Sequence, residues 1–131
     1  MKVISLNLAH INACIELDNV VLNGLWNKEQ WQKELSDSRR LCIGGIDSSR
    51  LLAIACGWLI VDEVHLTVIA VHPEYRRKGI GRSLLLTLFE KARSKGAVKA
   101  TLEVSSENIA AKALYKSLGF EITGSRDVKF P

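Results

Sequence analysis

The stretch of sequence best suited to chemistry is a basic, glycine-containing run at residues 76–82, RRKGIGR. Its two glycines, Gly79 and Gly81, allow the backbone to approach a ligand closely and to adopt positive φ. A strand pattern precedes the run and a helix pattern follows it, so free N–H groups and the helix dipole favour an anion there. Positive charge is added by the side chains of Arg76, Arg77, Lys78 and Arg82. The pattern indicates a pyrophosphate site, with a solvated basic turn as the alternative.

Two common phosphate-binding motifs do not match this run. A P-loop requires GxxxxGK followed by Ser or Thr, and the sequence lacks that pattern. The dinucleotide fingerprint requires a third glycine, at the position that Leu84 occupies. A phosphate site at 76–82 therefore requires a different family.

The strand and helix patterns around this run follow the order β-α-α-β-β-β-α-β-α-β. This order predicts an α/β sandwich with a mixed sheet. Strand patterns cover 2–6, 41–46, 51–61, 64–71 and 99–105, and a last strand begins at 120. Helical spacing covers 8–22, a short segment from Asn27, 81–95, and a segment from 106 or 107 to Gly119. Turns at Asp47–Ser49 and Asp62–Glu63 predict an antiparallel meander.

Length and composition are those of an ordinary globular domain. The chain has 131 residues, a net charge of +4, 47% hydrophobic and 24% charged residues. We expect a single domain over residues 1–131. No apolar run approaches the roughly 20 residues of a membrane span, and the first residues do not form a signal peptide. The sequence therefore predicts a cytoplasmic protein that does not bind membranes.

Cysteine and histidine spacing does not indicate a metal site. There is no CxxC pair, no HExxH and no Cys/His cluster with zinc spacing. We expect no metal, and we interpret the three cysteines as small buried apolar residues: Cys14, Cys42 and Cys56.

Two motifs together resemble the GNAT superfamily of N-acetyltransferases. Residues 72–85, HPEYRRKGIGRSLL, resemble its acetyl-CoA-binding signature R/Q-x-x-G-x-G/A, with Arg76, Gly79 and Gly81 at the signature positions. Residues 102–120, LEVSSENIAAKALYKSLGF, are more specific: they resemble the bacterial ribosomal-protein alanine N-acetyltransferases (the RimI group) and related archaeal amino-terminal acetyltransferases. Leu25-Trp26 and Asp62-Glu63 are also similar to that group. The resemblance covers nearly the whole chain and implies the GNAT fold, a mixed, mostly antiparallel central sheet flanked by helices.

The resemblance implies acetyl-CoA as co-substrate and assigns residues to its parts. Backbone groups of the strand before the signature would bind the pantetheine arm: Ile69, Ala70 and Val71. Backbone amides of the run would hold the pyrophosphate: Arg77, Lys78, Gly79, Ile80, Gly81 and Arg82. Asn108 matches a position that hydrogen-bonds the cofactor. Independently, Asn108, Ala111 and Tyr115 fall on one helical face, where the small Ala111 leaves room for a thin ligand.

The implied reaction is acetyl transfer to a protein N-terminal α-amine by direct attack in a ternary complex. Glu103 matches the general base and Tyr115 the general acid. From the residues alone, an exposed strand residue is the favoured interpretation of Glu103 and a half-buried packing residue that of Tyr115; the resemblance reverses both. An α-amine has a pKa of about 8, so roughly a tenth is neutral at pH 7, far more than of a lysine side chain. A carboxylate acting through water is therefore a sufficient base.

The acceptor is less well defined than the cofactor. The RimI resemblance favours the N-terminal alanine of a ribosomal protein. The alternatives are a lysine or small-molecule amine, or a non-catalytic acyl-CoA-binding module. Trp26 and Trp31 either shape the acceptor pocket or cap the core. Nucleic-acid binding is disfavoured, because the net charge is only +4 and basic residues do not alternate with aromatic ones.

The end of the sequence departs from the family pattern. Relatives continue with a strand that lies between the strands here at 99–105 and 120–126. We expect this closing strand to be missing, because residues 120–126 account for only one strand and five residues follow. Its loss would leave unpaired strand edges beside the acceptor site. We therefore expect either a truncated sequence or a homodimer that covers the exposed sheet edge.

Overall fold

A computed structural model describes residues 1–101, 109–119, 121–122 and 127–129. It contains one mixed sheet with the strand order β1-β2-β3-β4-β5-β7-β6. Its elements are β1 Lys2–Ser5, α1 Ile11–Val21, α2 Lys28–Ser36, β2 Arg40–Asp47, β3 Arg50–Ile60, β4 Glu63–Val71, α3 Ile80–Ser94, β5 Lys99–Thr101, α4 Ile109–Ser117, β6 Glu121–Ile122 and β7 Asp127–Lys129. The element order through β6 is the predicted one.

The first four strands form the predicted antiparallel meander. The β2–β3 turn has both central residues, Ser48 and Ser49, at positive φ, as a type I′ hairpin requires. The β3–β4 turn falls at Val61 and Asp62, one residue earlier than predicted, because Glu63 already pairs with Ile60. After the meander, β5 joins β4 in parallel.

The closing strand, predicted from the sequence to be missing, is present. β7 is only three residues long, but it lies between β5 and β6 and pairs antiparallel with both. Ala100 opposes Val128 on one side, and Ile122 opposes Val128 on the other. The prediction failed because residues 120–126 were counted as one strand, whereas the described part of β6 ends at Ile122. The gap on which the expected homodimer depended is therefore filled by this chain.

The sheet separates two apolar layers. On one face α3 packs on the middle strands and α4 contacts β6, and the helical face predicted for α3 is confirmed: Leu84, Leu85, Leu88, Phe89 and Ala92 are all buried. On the other face α1 and α2 bury a second cluster that includes Cys14, Leu17, Trp31, Leu35, Cys42, Ile54 and Cys56. The sheet is thus covered on both sides, as an α/β sandwich requires.

The connection between α1 and α2 is held by one buried carboxylate. Asp18, only 2% exposed, accepts hydrogen bonds from the backbone N–H groups of Leu25 (2.7 Å) and Trp26 (3.0 Å) and from Trp31 Nε1 (2.9 Å). The predicted capping box at Asn27 then begins α2. Trp31 is fully buried in the core, and the half-buried Trp26 packs edge-on against it at 4.8 Å.

The first predicted helix is divided into two parts. Asn7 caps a short 3-10 turn at Leu8–His10, because its Oδ1 accepts from the Ala9 N–H at 2.9 Å and its own N–H donates to His10 Nδ1 at 3.0 Å. The α-helix begins only at Ile11. Apolar spacing alone does not distinguish the tighter turn from the α-helix that follows it.

The predicted burial of the cysteines is confirmed, and all three are free thiols. Burial raises the pKa of Cys14 to about 12, so this thiol stays protonated at neutral pH. Cys42, Cys56 and the Glu34 carboxylate lie within 4.8 Å of one another, and Glu34 is ion-paired with Arg40. Among the described residues, no helix is long and apolar enough to cross a membrane.

Candidate functional site

The site begins with a bulge in the middle of β4. Cys56 opposes Val68 on the neighbouring strand, but Gly57 opposes Leu66, so Thr67 has no partner on β3. Its hydroxyl instead donates to the Cys56 carbonyl at 3.2 Å. Side chains along a strand point alternately to its two faces, and one extra residue reverses this alternation. Even-numbered and odd-numbered residues of β4 therefore exchange faces at Thr67.

Beyond the bulge, Ile69 and Val71 direct their side chains to the α3 layer. The N–H of His72 donates to the Leu52 carbonyl on β3 at 2.7 Å. Since hydrogen-bonded and non-hydrogen-bonded pairs alternate in an antiparallel ladder, Ala70 also bonds to β3. The N–H groups of Ile69 and Val71 therefore face away from β3, where β5 pairs only with the first residues of β4 in the described chain. Of the three predicted pantetheine-binding residues, these two have backbone N–H groups without a strand partner among the described residues.

The first turn of α3 lies against this end of β4. A Cβ on Gly81 would sit 3.7 Å from Ile69 Cδ1 and 3.8 Å from Val71 Cγ2. Gly79 caps the helix at φ +76°, a conformation that favours glycine. The sequence allows positive φ at both glycines, but Gly81 is already helical. Because Gly79 has no side chain, the N–H groups of the first turn receive no side-chain cap.

The loop between β4 and α3 is fixed by its own polar groups. His72 Nδ1 accepts from the Glu74 N–H at 3.2 Å and caps a 3-10 turn at Pro73–Tyr75. Arg76 Nε donates to the Val71 carbonyl at 3.0 Å, which ties the loop back to the strand. Arg77 has φ +63°, so two left-handed residues, Arg77 and Gly79, precede the helix. Successive N–H groups around left-handed residues form a concave anion site.

The four basic side chains of the loop are exposed: Arg76, Arg77, Lys78 and Arg82. Within the part of the chain that the structure describes, none of them forms an ion pair. Two contacts were not predicted, since neither has a sequence signal. Lys78 Nζ lies 5.3 Å from the Tyr75 ring centroid, and Arg82 Nη1 donates to Ser117 Oγ of α4 at 3.4 Å. Unneutralised cations thus surround the start of α3.

A cavity of about 280 Å³ lies beside this loop. Its lining combines the loop with the neighbouring strand ends and includes Asp47, Leu52, Tyr75, Lys78, Gly79, Ile80 and Ser83. The open N–H groups, the left-handed residues and the free positive charge all fit a pyrophosphate, and the outward N–H groups of β4 fit an extended amide chain.

Tyr115 of α4 is 4% exposed and packs in the α3 layer. Its burial raises the pKa of its hydroxyl, so the phenol keeps its proton at neutral pH. A protonated phenol is able to donate to a developing anion. The predicted residues Glu103 and Asn108 lie outside the described residues. Ala111 lies within α4, and its side chain is also outside the description.

Comparison with known proteins agrees with this geometry. The model of the acetyltransferase (GNAT) family matches residues 11–120, and the chain belongs to this family. It is therefore an N-acetyltransferase that uses acetyl-CoA as co-substrate, in agreement with the anion site and with the β4 edge that is open among the described residues.

Individual proteins that are similar to this chain have more specific names than the family. A Bacillus subtilis protein, provisionally named a ribosomal protein bS18-alanine N-acetyltransferase, is 30% identical over 93% of this chain and 82% of its own length. The enzyme of that name from Salmonella typhimurium is 42% identical, over 63% of this chain and 55% of its own length. The crystal structure of the ribosomal-protein-S18-alanine N-acetyltransferase from Escherichia coli superposes with a TM-score of 0.80 at 28% identity, covering 97% of this chain and 88% of that one.

Proposed function

We propose that this protein transfers the acetyl group of acetyl-CoA to the N-terminal α-amine of a protein, with the N-terminal alanine of ribosomal protein bS18 as the leading acceptor. The family supports the reaction, and the names of the Salmonella and Escherichia coli relatives support the acceptor. The observation that carries the proposal is the junction of β4 and α3, where open backbone N–H groups meet an uncapped, positively charged helix start.

Each part of the junction has a role in binding acetyl-CoA. The amides between Arg77 and Arg82 would hold the pyrophosphate, with the helix dipole and the exposed cations favouring its charge. The N–H groups of Ile69 and Val71 would bind the amides of the pantetheine arm as a neighbouring strand would. This arrangement directs the thioester from α3 toward the bulge at Thr67. Asn108 and Ala111 remain proposed cofactor contacts on the strength of the family motif.

The chemistry then requires a neutral amine and a protonated leaving group. Glu103 is the proposed general base and Tyr115 the proposed general acid. The buried Tyr115 holds its proton at neutral pH, which supports the second role. A backbone N–H of β4 facing the thioester carbonyl would stabilise the negative charge that develops there, which is usually a large contribution in acyl transfer. The scheme does not require a covalent enzyme intermediate.

The acceptor is tested with a peptide panel and acetyl-CoA, with products mapped by mass spectrometry. One peptide carries a free N-terminal alanine and an internal lysine, and its control has the same sequence with a formylated N-terminus. We expect acetylation of the first peptide at its α-amine and no acetylation of the control. Modification of the lysine in both peptides would instead identify a lysine acetyltransferase and contradict the proposal.

A further inference from the structure

A polar row crosses the sheet on the face opposite α3, near the start of β4. In register, Arg40 opposes Trp58, Trp58 opposes His65, and His65 pairs with Thr101. Val64 is buried in the α3 layer, so the side chain of His65 projects from the opposite face. The Arg40 guanidinium lies over the Trp58 ring at 4.7 Å, which places both on that face as well.

Within this row His65 forms a pair with a carboxylate. His65 Nε2 lies 3.2 Å from Glu63 Oε2. Glu63 is in turn held by Lys99 Nζ at 2.7 Å from Oε1 and by the Thr101 hydroxyl at 3.4 Å from Oε2. The hydrogen bond and charge of Lys99 lower the pKa of Glu63, which keeps it a carboxylate. An Nε2–H that donates to Glu63 leaves Nδ1 of His65 with its lone pair, and the imidazole is 34% exposed.

The position of this pair along β4 matters for the reaction. His65 precedes the bulge at Thr67 by two residues, and the open N–H groups of Ile69 and Val71 follow it. A pantetheine arm that runs from α3 along β4 therefore brings its thioester toward His65. Tyr115 belongs to the α3 layer, whereas His65 is on the other face. An acceptor amine that attacks from the His65 side would leave the thiolate on the Tyr115 side.

We propose that His65, oriented by Glu63, is a catalytic residue that accepts a proton from the acceptor ammonium group, directly or through one water. The proposal rests on the proposed function for its acceptor. The ammonium gives one proton to His65 Nδ1, and the freed lone pair forms the C–N bond as the C–S bond breaks. The second proton passes from the nitrogen to Glu103, the other proposed base, as the amide forms, while Tyr115 gives its proton to the departing thiolate; Glu103 then returns a proton to Tyr115 through water. His65 then releases its proton to water.

The test compares His65→Gln, His65→Ala and Glu63→Gln with wild type, using whichever acceptor the peptide panel shows the wild type to acetylate. General-base catalysis contributes about 10²–10⁴-fold, so we expect His65→Gln to lower kcat by at least about 100-fold. The KM for acetyl-CoA should stay unchanged, because His65 does not contact the pyrophosphate loop. Glu63→Gln should lower kcat less. Added imidazole should restore part of the activity of His65→Ala.

The matched control is His10→Gln, which changes a histidine that only caps the 3-10 turn, and it should retain wild-type kcat. A His65→Gln enzyme that keeps kcat within about twofold would overturn the proposal, as would a failure of imidazole to act on His65→Ala. If the wild type acetylates lysine instead, the N-terminal acceptor is wrong, but the same variants still decide the role of His65 on that acceptor.

Discussion

Replacing Gly79 by alanine should destabilise the protein, whereas replacing Gly81 by alanine should not. At Gly79 an added Cβ would meet nothing within 4 Å, so the only penalty is backbone conformation at φ +76°. A non-glycine residue in this region costs about 1–2 kcal/mol. At Gly81 the backbone is helical, and the new methyl would make ordinary contacts at 3.7 and 3.8 Å. Alanine is favoured over glycine within a helix by about 0.8–1.0 kcal/mol, and by less in the first turn.

Urea denaturation followed by circular dichroism measures both changes in the same buffer. We expect Gly79→Ala to lower the free energy of unfolding by about 1–2 kcal/mol, and Gly81→Ala to raise it slightly or leave it unchanged. Gly79→Ala should also weaken acetyl-CoA binding, because the strained residue moves the amides of the first turn. Equal destabilisation by both substitutions, or a Gly79→Ala protein as stable as wild type, would refute the assignment of the left-handed cap to Gly79.

Three further substitutions test separate parts of the structure. Asp18→Asn should destabilise the fold by roughly 2–4 kcal/mol in urea denaturation, since the amide keeps one acceptor oxygen but loses at least one of the three hydrogen bonds, and a bond to a charged group contributes about 1.5–3 kcal/mol. A change below about 0.5 kcal/mol would contradict this role for Asp18. Val61→Gly should raise stability by up to about 1 kcal/mol, because Val61 is 94% exposed at φ +57° and relief of that strain exceeds the added chain entropy; a lower melting temperature would show that Val61 is not strained. Tyr115→Phe should lower turnover and leave acetyl-CoA affinity in calorimetry nearly unchanged, and unaltered turnover would exclude Tyr115 as the acid.

Residue patterns predicted the elements that carry a local signal. The Asn27 capping box begins α2 as expected, and the apolar positions of α3 are the buried ones. The basic run lies at a strand-to-helix junction, as its glycines and charges indicated. These features depend on contacts within a few residues, which is why the sequence alone was enough to place them.

Features that depend on strand pairing were not predictable in the same way. The bulge at Thr67 arises from the register between β3 and β4, and the glycine beside it, Gly57, lies on the partner strand β3 rather than on β4. It determines that Ile69 and Val71, rather than Ala70, have outward N–H groups. β7 was missed because three residues are too few for a periodic pattern, and it forms only through its pairing with β5 and β6. His65 and Glu63 are two residues apart on β4. The contacts that hold Glu63, from Lys99 and Thr101, form only because β5 pairs with β4.

The most direct test of the site is a calorimetric titration of acetyl-CoA into the wild-type chain and into Gly81→Glu. The added side chain starts against Ile69 and Val71 and brings a negative charge to the proposed pyrophosphate site. Thermal denaturation without ligand should first establish that the variant is folded. We predict saturable binding to the wild type, none to Gly81→Glu, and no competition from a simple anion such as sulfate at equal concentration. Equal affinity of the two folded proteins for acetyl-CoA would contradict binding at the junction of β4 and α3.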